Sequence, residues 1–188
     1  MPRIARVTTR TGDSGETSLF GKGRVRKTDP RVVALGDLDE AQSALGLARA
    51  SVPLAERDIV LELQRGLYRV MAEVATPSAD LPRLRGRIDA DAVASIDALI
   101  AGLRERAGVE GRFVVPGEDV PSATLDVART VVRRAERSVV GLADATLVDG
   151  THLVPWLNRL SDVVYLLARA LESARTEASS APPGRSPR

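Results

Sequence analysis

Two apolar stripes with a helical period constrain this chain most. Leu125, Ala128, Val132, Ala135 and Val139 recur at intervals of three and four residues, and so do Leu153, Leu157, Leu160, Val164, Leu167 and Leu171. At about 100° per residue, each set falls on one face of a helix. Such a face has to be buried against another element. Only 3% of the 188 residues are aromatic, so Leu, Val, Ile and Ala must build the core. That favours packed helices over a β-sandwich. The length suits one domain with one sizeable core.

The breaks between elements follow from capping residues, Gly and Pro. Residues 1–28 are polar, interrupted by Gly12, Gly15, Gly21 and Gly23, and lack helical periodicity. They are expected to be an extended segment with loops. Thr28 or Asp29 can cap a first helix that has Pro30 in its first turn and runs to Ser51, before Pro53. A second helix is predicted over Leu54–Ala75, ended by Thr76-Pro77, and residues 77–87 form a loop. A third fits Asp89–Arg106, stopped by Gly108, and the run GRFVVPGEDVPS is a linker. A fourth fits Ser122–Leu142, and a fifth Leu147–Glu177 with Pro155 near its start. The predicted architecture is an all-α five-helix bundle in one domain, residues 1–177, with an extended Gly-rich N-terminal segment at 1–28. The tail at 178–188 is too poor in apolar residues to pack and is expected to be disordered.

Composition limits the chemistry. There is no Cys and a single His, His152. This excludes disulfides, thiol catalysis, Cys-based zinc sites and histidine clusters, and it argues against a Ser-His-Asp triad. Of 27 basic residues only Lys22 and Lys27 are lysines, yet the formal net charge is only +2. So small a charge gives no field that favours nucleic acid. No 18-residue apolar run exists, so no membrane span is expected. The first residues, MPRIARVTTRTGDSGE, lack the apolar stretch of a secretory signal, which makes the cytoplasm the expected compartment.

Three polar patterns are candidates for function. In the fourth helix Arg129, Arg133, Glu136 and Arg137 gather beside the apolar face, with Arg134 pointing elsewhere. This is either a solvated basic face paired to Glu136 or a site for an anion. In the fifth, Asn158, Asp162, Tyr165 and Arg169 line up opposite the leucines, as a polar seam, a ligand site or plain surface. In the first, Gly36, Asp39, Ser43, Gly46 and Ala50 form a stripe of small residues. Interior glycines cost about 0.5–1 kcal/mol each relative to Ala, which suggests a packing reason. Asp39 within that stripe is expected to be poorly solvated and to want an arginine partner. The segment TTRTGDSGETSLFGKG carries the glycines and hydroxyls of a phosphate cradle, without Walker spacing, and Lys27 can add a point charge.

In order along the chain, TRTGDSGETSLFGKGRVRKTDPRVVALGDLDEAQSALG, RFVVPG, ARTVVRRAER and LNRLSDVVYLLAR resemble the PduO-type ATP:cob(I)alamin adenosyltransferase family, over about residues 7–170. The resemblance implies a five-helix bundle that forms a homotrimer with ATP and corrin sites at its interfaces. It implies transfer of the 5′-deoxyadenosyl group of ATP to cob(I)alamin, with Mg2+ bound mainly through the ATP phosphates. Cobalamin enters as substrate, as cob(I)alamin or as cob(II)alamin reduced by a reductase. An adenosylcobalamin-dependent client enzyme is a further implied partner. Thr9, Arg10, Thr11, Gly12, Thr17, Ser18 and Lys27 match the family's ATP-binding stretches, as do Arg133, Arg134, Glu136, Arg137 and Asn158. Asp39 and Arg129 match an intersubunit pair beside the corrin, and Phe113 the aromatic packed on its lower face. Arg133, Asp39, Arg129 and Phe113 are the implied catalytic set. Asp162 has an implied structural role.

The chain departs from the family's usual residues at Arg10, Glu118, Asp126 and Trp156. Lys, Gly, His and Tyr or Phe, respectively, are usual there. A catalytically weak paralogue that delivers adenosylcobalamin to a client, and a helical module whose arginines meet an acidic partner, are the competing readings.

Overall fold

The computed structural model describes residue 8 and residues 10–21, 23–108 and 114–180. It consists of two short strands, β1 (Glu16–Thr17) and β2 (Val25–Arg26), and five α-helices, with a 3-10 turn at Leu81–Arg83 in the predicted 77–87 loop. The helices are α1 (Pro30–Ser51), α2 (Leu54–Ala75), α3 (Ala90–Ala107), α4 (Val120–Asp144) and α5 (Gly150–Ser180). The strands pair antiparallel, Glu16 opposite Arg26 and Thr17 opposite Val25, which ties the N-terminal segment into a hairpin.

The order across the bundle is α2, α1, α4, α5, α3. The α1 and α4 helices run antiparallel. Ser51, at the end of α1, shares a 2.7 Å hydrogen bond with Thr124 near the start of α4, while Arg31 at the other end donates to the Leu147 carbonyl after α4. Both apolar stripes read from the sequence lie in the core: Leu125, Ala128, Val132, Ala135 and Val139 face Leu153, Leu157, Leu160, Val164 and Leu167. The α1–α2 seam adds a polar clasp. Gln42 Nε2 donates to the Gln64 carbonyl at 3.0 Å, and Gln64 Nε2 returns the bond to the Gln42 carbonyl at 3.1 Å.

Helix ends follow capping chemistry, and several differ from the sequence expectation: α3 is shifted by one residue, to Ala90–Ala107, and α4 ends at Asp144 rather than Leu142. The Asp29 carboxylate caps α1 by accepting from the Arg31 N–H, and α3 stops where Gly108 takes a left-handed C-cap at φ 59°. The α4 helix begins at Val120 rather than Ser122. Asp119 and Ser122 form a reciprocal capping box, so Ser122 lies inside the first turn. The α5 helix begins at Gly150 rather than Leu147. Thr146 adopts φ 56° and breaks the chain direction, and the Asp149 carboxylate accepts from the Thr151 N–H at 3.0 Å. Pro155 lies within the helix. At its other end α5 continues to Ser180, three residues beyond the expected Glu177 and into the expected tail. The rest of that tail lies outside the described residues.

No helix among the described residues is long and apolar enough to cross a membrane.

Trp156 on α5 packs onto the backbone of α2 at Gly66. A Cβ at Gly66 would stand 2.2 Å from the indole Cζ2. Gly66→Ala is therefore expected to destabilise the bundle by about 1–3 kcal/mol through overpacking. Urea unfolding measures this, and an unchanged midpoint would contradict the contact. Asp119 gives a second expectation. Burial pushes its carboxyl pKa up, but the Ser122 N–H, the Arg175 guanidinium and the Ser122 hydroxyl outweigh that and hold it below the ordinary aspartate value. A depressed folded-state pKa gives stability that is present above the unfolded value and lost as pH falls through the folded one. Asp119→Ala should cost about 1 kcal/mol at neutral pH. The gap to the native protein should close in acid, below the folded-state value. A gap independent of pH would show that the carboxylate does not cap α4.

Candidate functional site

The N-terminal hairpin presents a compact polar turn. Asp13 N–H donates to the Arg10 carbonyl at 3.4 Å, Gly15 N–H to the Gly12 carbonyl at 3.1 Å, and Lys27 N–H to the Gly15 carbonyl at 2.9 Å. Lys27 folds over this turn: a Cβ at Gly12 would lie 3.2 Å from its Nζ. The Arg24 guanidinium straps the loop by donating to the Thr11 carbonyl, to the Glu16 carbonyl at 3.0 Å and to Glu16 Oε2 at 3.3 Å. Arg10 sits in the left-handed region at φ 59°, a conformation rarely adopted by residues other than Gly, Asn and Asp. The structure thus brings Arg10, Thr11, Gly12, Thr17 and Lys27 into one loop, with Ser18 exposed just beyond β1. Thr9 lies outside the described residues.

The loop docks at the end of the bundle where α1 begins and α2 ends. Phe20 N–H donates to the Ala75 carbonyl at 3.1 Å. Leu19, Phe20, Arg24, Arg31, Pro77 and Leu147 line a hollow of about 330 Å3 there.

The second cluster lies on α4 and α5. Asn158 Nδ2 donates to Glu136 Oε1 at 3.0 Å, which joins the two helices. Arg133 and Arg137 stand one turn apart, both exposed, and Arg137 Nη1 donates to the Arg133 carbonyl at 3.0 Å. Among the described residues neither has a carboxylate partner. Arg134 is engaged differently. It reaches across to α1, where it pairs with Glu40 and stands 3.5 Å from Asp37, and Ser138 donates to the same Asp37 carboxylate. The Glu40 hydrogen bond and its charge, with help from Asp37, raise the Arg134 pKa above its ordinary value. Arg134 therefore separates from Arg133 and Arg137, as its position on the helix predicted.

The first-helix stripe differs from expectation. Gly36, Asp39, Ser43 and Ala50 are exposed, whereas Gly46 is half-buried, with a Cβ there 3.5 Å from Gln64 Nε2. Ala34, Leu38, Ala41, Leu45 and Ala48 take the buried face of α1 instead. A Cβ at Gly36 would meet nothing within 4 Å, so no packing reason for it exists among the described residues of one protomer. Asp39 is solvated, and no described residue of the same chain pairs with it. Within the protomer Arg129 lies 3.9 Å from Asp126. Phe113 lies outside the described residues.

The polar stripe of α5 divides. Asn158 and Asp162 are exposed, Tyr165 is half-buried and Arg169 is buried against Asp126 at 2.5 Å. Sequence reasoning missed this ion pair. Its signal was present: Asp126 lies between the core positions Leu125 and Ala128, and a carboxylate there needs a buried cation.

A helical bundle carrying a strapped Gly- and Thr-rich turn, a lysine over that turn and an uncompensated arginine pair is built to hold a polyanion at its surface. The model of the Cobalamin adenosyltransferase family matches residues 7–171, and the chain belongs to that family. It is 39% identical over 169 residues to a corrinoid adenosyltransferase of Citrobacter freundii, covering 89% of this chain and 96% of that protein. It is 40% identical over 175 residues to a corrinoid adenosyltransferase of Mycobacterium tuberculosis, covering 88% of each. Among solved structures, a variant of the PduO-type ATP:corrinoid adenosyltransferase of Lactobacillus reuteri, complexed with cobalamin and ATP, superposes with a TM-score of 0.83. That match has 28% identity and covers 91% of this chain and 93% of the other.

Breaking the Asn158–Glu136 link should loosen the exposed cluster without unfolding the bundle. Asn158→Ala is expected to leave the melting temperature within a few degrees and to weaken ATP binding about tenfold, as read by titration calorimetry. Undiminished ATP affinity would remove Asn158 from the site.

Proposed function

We propose that this protein transfers the 5′-deoxyadenosyl group of ATP to the cobalt of cob(I)alamin, releasing triphosphate. The observation that carries this is the uncompensated, exposed pair Arg133 and Arg137 beside the Glu136–Asn158 link. Two guanidiniums one turn apart repel unless an anion lies between or over them. The names and ligands of the relatives supply the identity of that anion.

In the proposed reaction the lone pair of cobalt(I) forms the Co–C bond to the ribose 5′-carbon. The bond from that carbon to oxygen breaks, and its electron pair leaves with triphosphate. The nucleophile belongs to the substrate, so the protein needs no Cys, His or general base. Arg133, Arg137 and Lys27 offset the charge that grows on the departing phosphates. Thr11, Thr17, Ser18 and the Gly12 turn supply hydroxyl and backbone donors, with Thr9 and Arg10 in the same stretch. Glu136 and Asn158 orient one another and the nucleoside. Arg134 reaches the nucleotide only by leaving Asp37 and Glu40. Mg2+ is proposed to come with the ATP phosphates. Phe113 is proposed to displace the axial ligand of cob(II)alamin, which makes its reduction by a reductase easier.

A trimer belongs to the same proposal. Asp37, opposite Arg134, is seven residues into α1, about 10 Å along the helix from the end where the loop docks. In an assembly, one protomer's loop can cover its neighbour's arginines. The exposed Asp39, with Val33 and Leu47, would then meet a partner face. Delivery to an adenosylcobalamin-dependent enzyme and a cytoplasmic location belong to the same reading.

An assay with ATP, Mg2+ and chemically reduced cobalamin, followed by the spectral change on Co–C bond formation, tests the activity. Turnover is expected, and ATP binding without a Co–C bond would refute the enzyme. Arg133→Ala should lower kcat/KM by about 100-fold or more with the fold retained. Native-like activity in that variant would refute the triphosphate role. Asp39→Arg should shift the protein from trimer to smaller species in sedimentation, and a persistent trimer would refute the interface role.

A further inference from the structure

Arg169 is one of the most enclosed charges among the described residues. It is 2% exposed, deep in α5, and its Nη2 lies 2.5 Å from Asp126 Oδ2 on α4 and 3.1 Å from Glu172 Oε1. Asp126 is itself 5% exposed. Its second oxygen, Oδ1, stands 3.9 Å from Arg129 Nε, an ion pair without a hydrogen bond. Both guanidiniums lie over one aromatic ring: the Arg169 carbon is 5.3 Å, and the Arg129 carbon 5.8 Å, from the Tyr165 centroid. One carboxylate and one ring thus hold two cations, one buried and one at the surface.

A buried ion pair is a poor way to join two helices. Apolar residues of similar volume often do so with equal or greater stability. This one is also incompletely satisfied: Arg169 Nε and Nη1 and Arg129 Nε have no hydrogen-bond partner among the described residues. What the arrangement does provide is a fixed Arg129. Its guanidinium is held between the Asp126 charge and the Tyr165 face. It is half-buried, one turn before the exposed Arg133. Without Asp126 the two guanidiniums over the ring would lose the carboxylate they share.

We infer that Asp126, Tyr165 and Arg169 are positioning residues that fix Arg129 for its contact at the corrin-side interface. This rests on the function proposed above and on the corrin-side contact that the family resemblance implies for Arg129. Arg129 then differs in kind from Arg133 and Arg137. It is a preorganised cation set before any ligand arrives, whereas the other two are free to close on the nucleotide.

The full-length protein tests this with Asp126→Asn, Arg129→Ala and their combination. In the adenosylation assay, Asp126→Asn should raise the KM for cobalamin about tenfold and leave the KM for ATP within twofold. Added to Arg129→Ala, it should produce no further loss, because it acts through the side chain already removed. Losses that multiply, or equal rises in both KM values, would overturn the inference. If Asp126→Asn does not fold, Tyr165→Leu removes the ring while keeping apolar volume, and the same selective, non-additive loss is expected. Subunit association, read by sedimentation in the same variants, should weaken with Asp126→Asn in the native background and not in Arg129→Ala. That second readout separates the two proposals. A wild-type protein that forms no adenosylcobalamin refutes the activity. Additive weakening of association refutes the positioning set whether or not the wild type turns over.

Discussion

The central helix of the bundle, α4, packs against α1 on one side and α5 on the other while carrying Arg129, Arg133, Arg134 and Arg137 within nine residues. Like charges at that spacing work against the helix unless each is compensated. Arg134 is compensated from α1 by Asp37 and Glu40, and Arg129 from its own helix by Asp126 and from α5 by the Tyr165 face. These contacts tie the packing neighbours together and, by subtraction, define Arg133 and Arg137 as the charges left for a ligand. The site is thus a remainder of the charge balance that holds the bundle.

The N-terminal loop is prepared separately. Arg24 straps it, the β1–β2 pairing fixes its span, and Phe20 anchors it to the end of α2. Lys27 lies over Gly12, where a side chain would crowd its ammonium. The loop caps one end of the bundle, whereas the arginines face sideways along α4. Chemistry that needs a phosphate cradle and a cationic stripe together is better served by an assembly than by one protomer, and the exposed stripe of α1 offers the surface for it.

Much of this was legible in the sequence. The apolar stripes placed α4 and α5 because a 3.6-residue period survives any detail of packing, and caps, Gly and Pro breaks placed the other three. Asp29, one of two caps the sequence offered for α1, and Gly108 marked ends correctly because caps act on their own backbone, whereas Asp89 caps α3 rather than opening it. The starts of α4 and α5 were displaced by two and three residues. A capping box draws Ser122 inside its helix, and a left-handed Thr146 was not foreseeable from residue type. Asp39 was expected to be enclosed, since small residues surround it, yet a stripe of small residues does not say which side the core lies on. The pairing of Asp126 with Arg169 spans 43 residues and had no local spacing to reveal it.

By itself the sequence determined the fold class, the absence of thiol and histidine-cluster chemistry, and the family, because periodicity, composition and ordered motifs are properties of the chain alone. Only the tertiary structure decided which arginines are spent within the protein and which remain free. That depends on carboxylates brought from other helices, Asp37 and Glu40 against Arg134, and on Asp126, which pairs with Arg169 across the α4–α5 seam and approaches Arg129. Ion-pair energy falls with separation in space, and separation along the chain does not predict it.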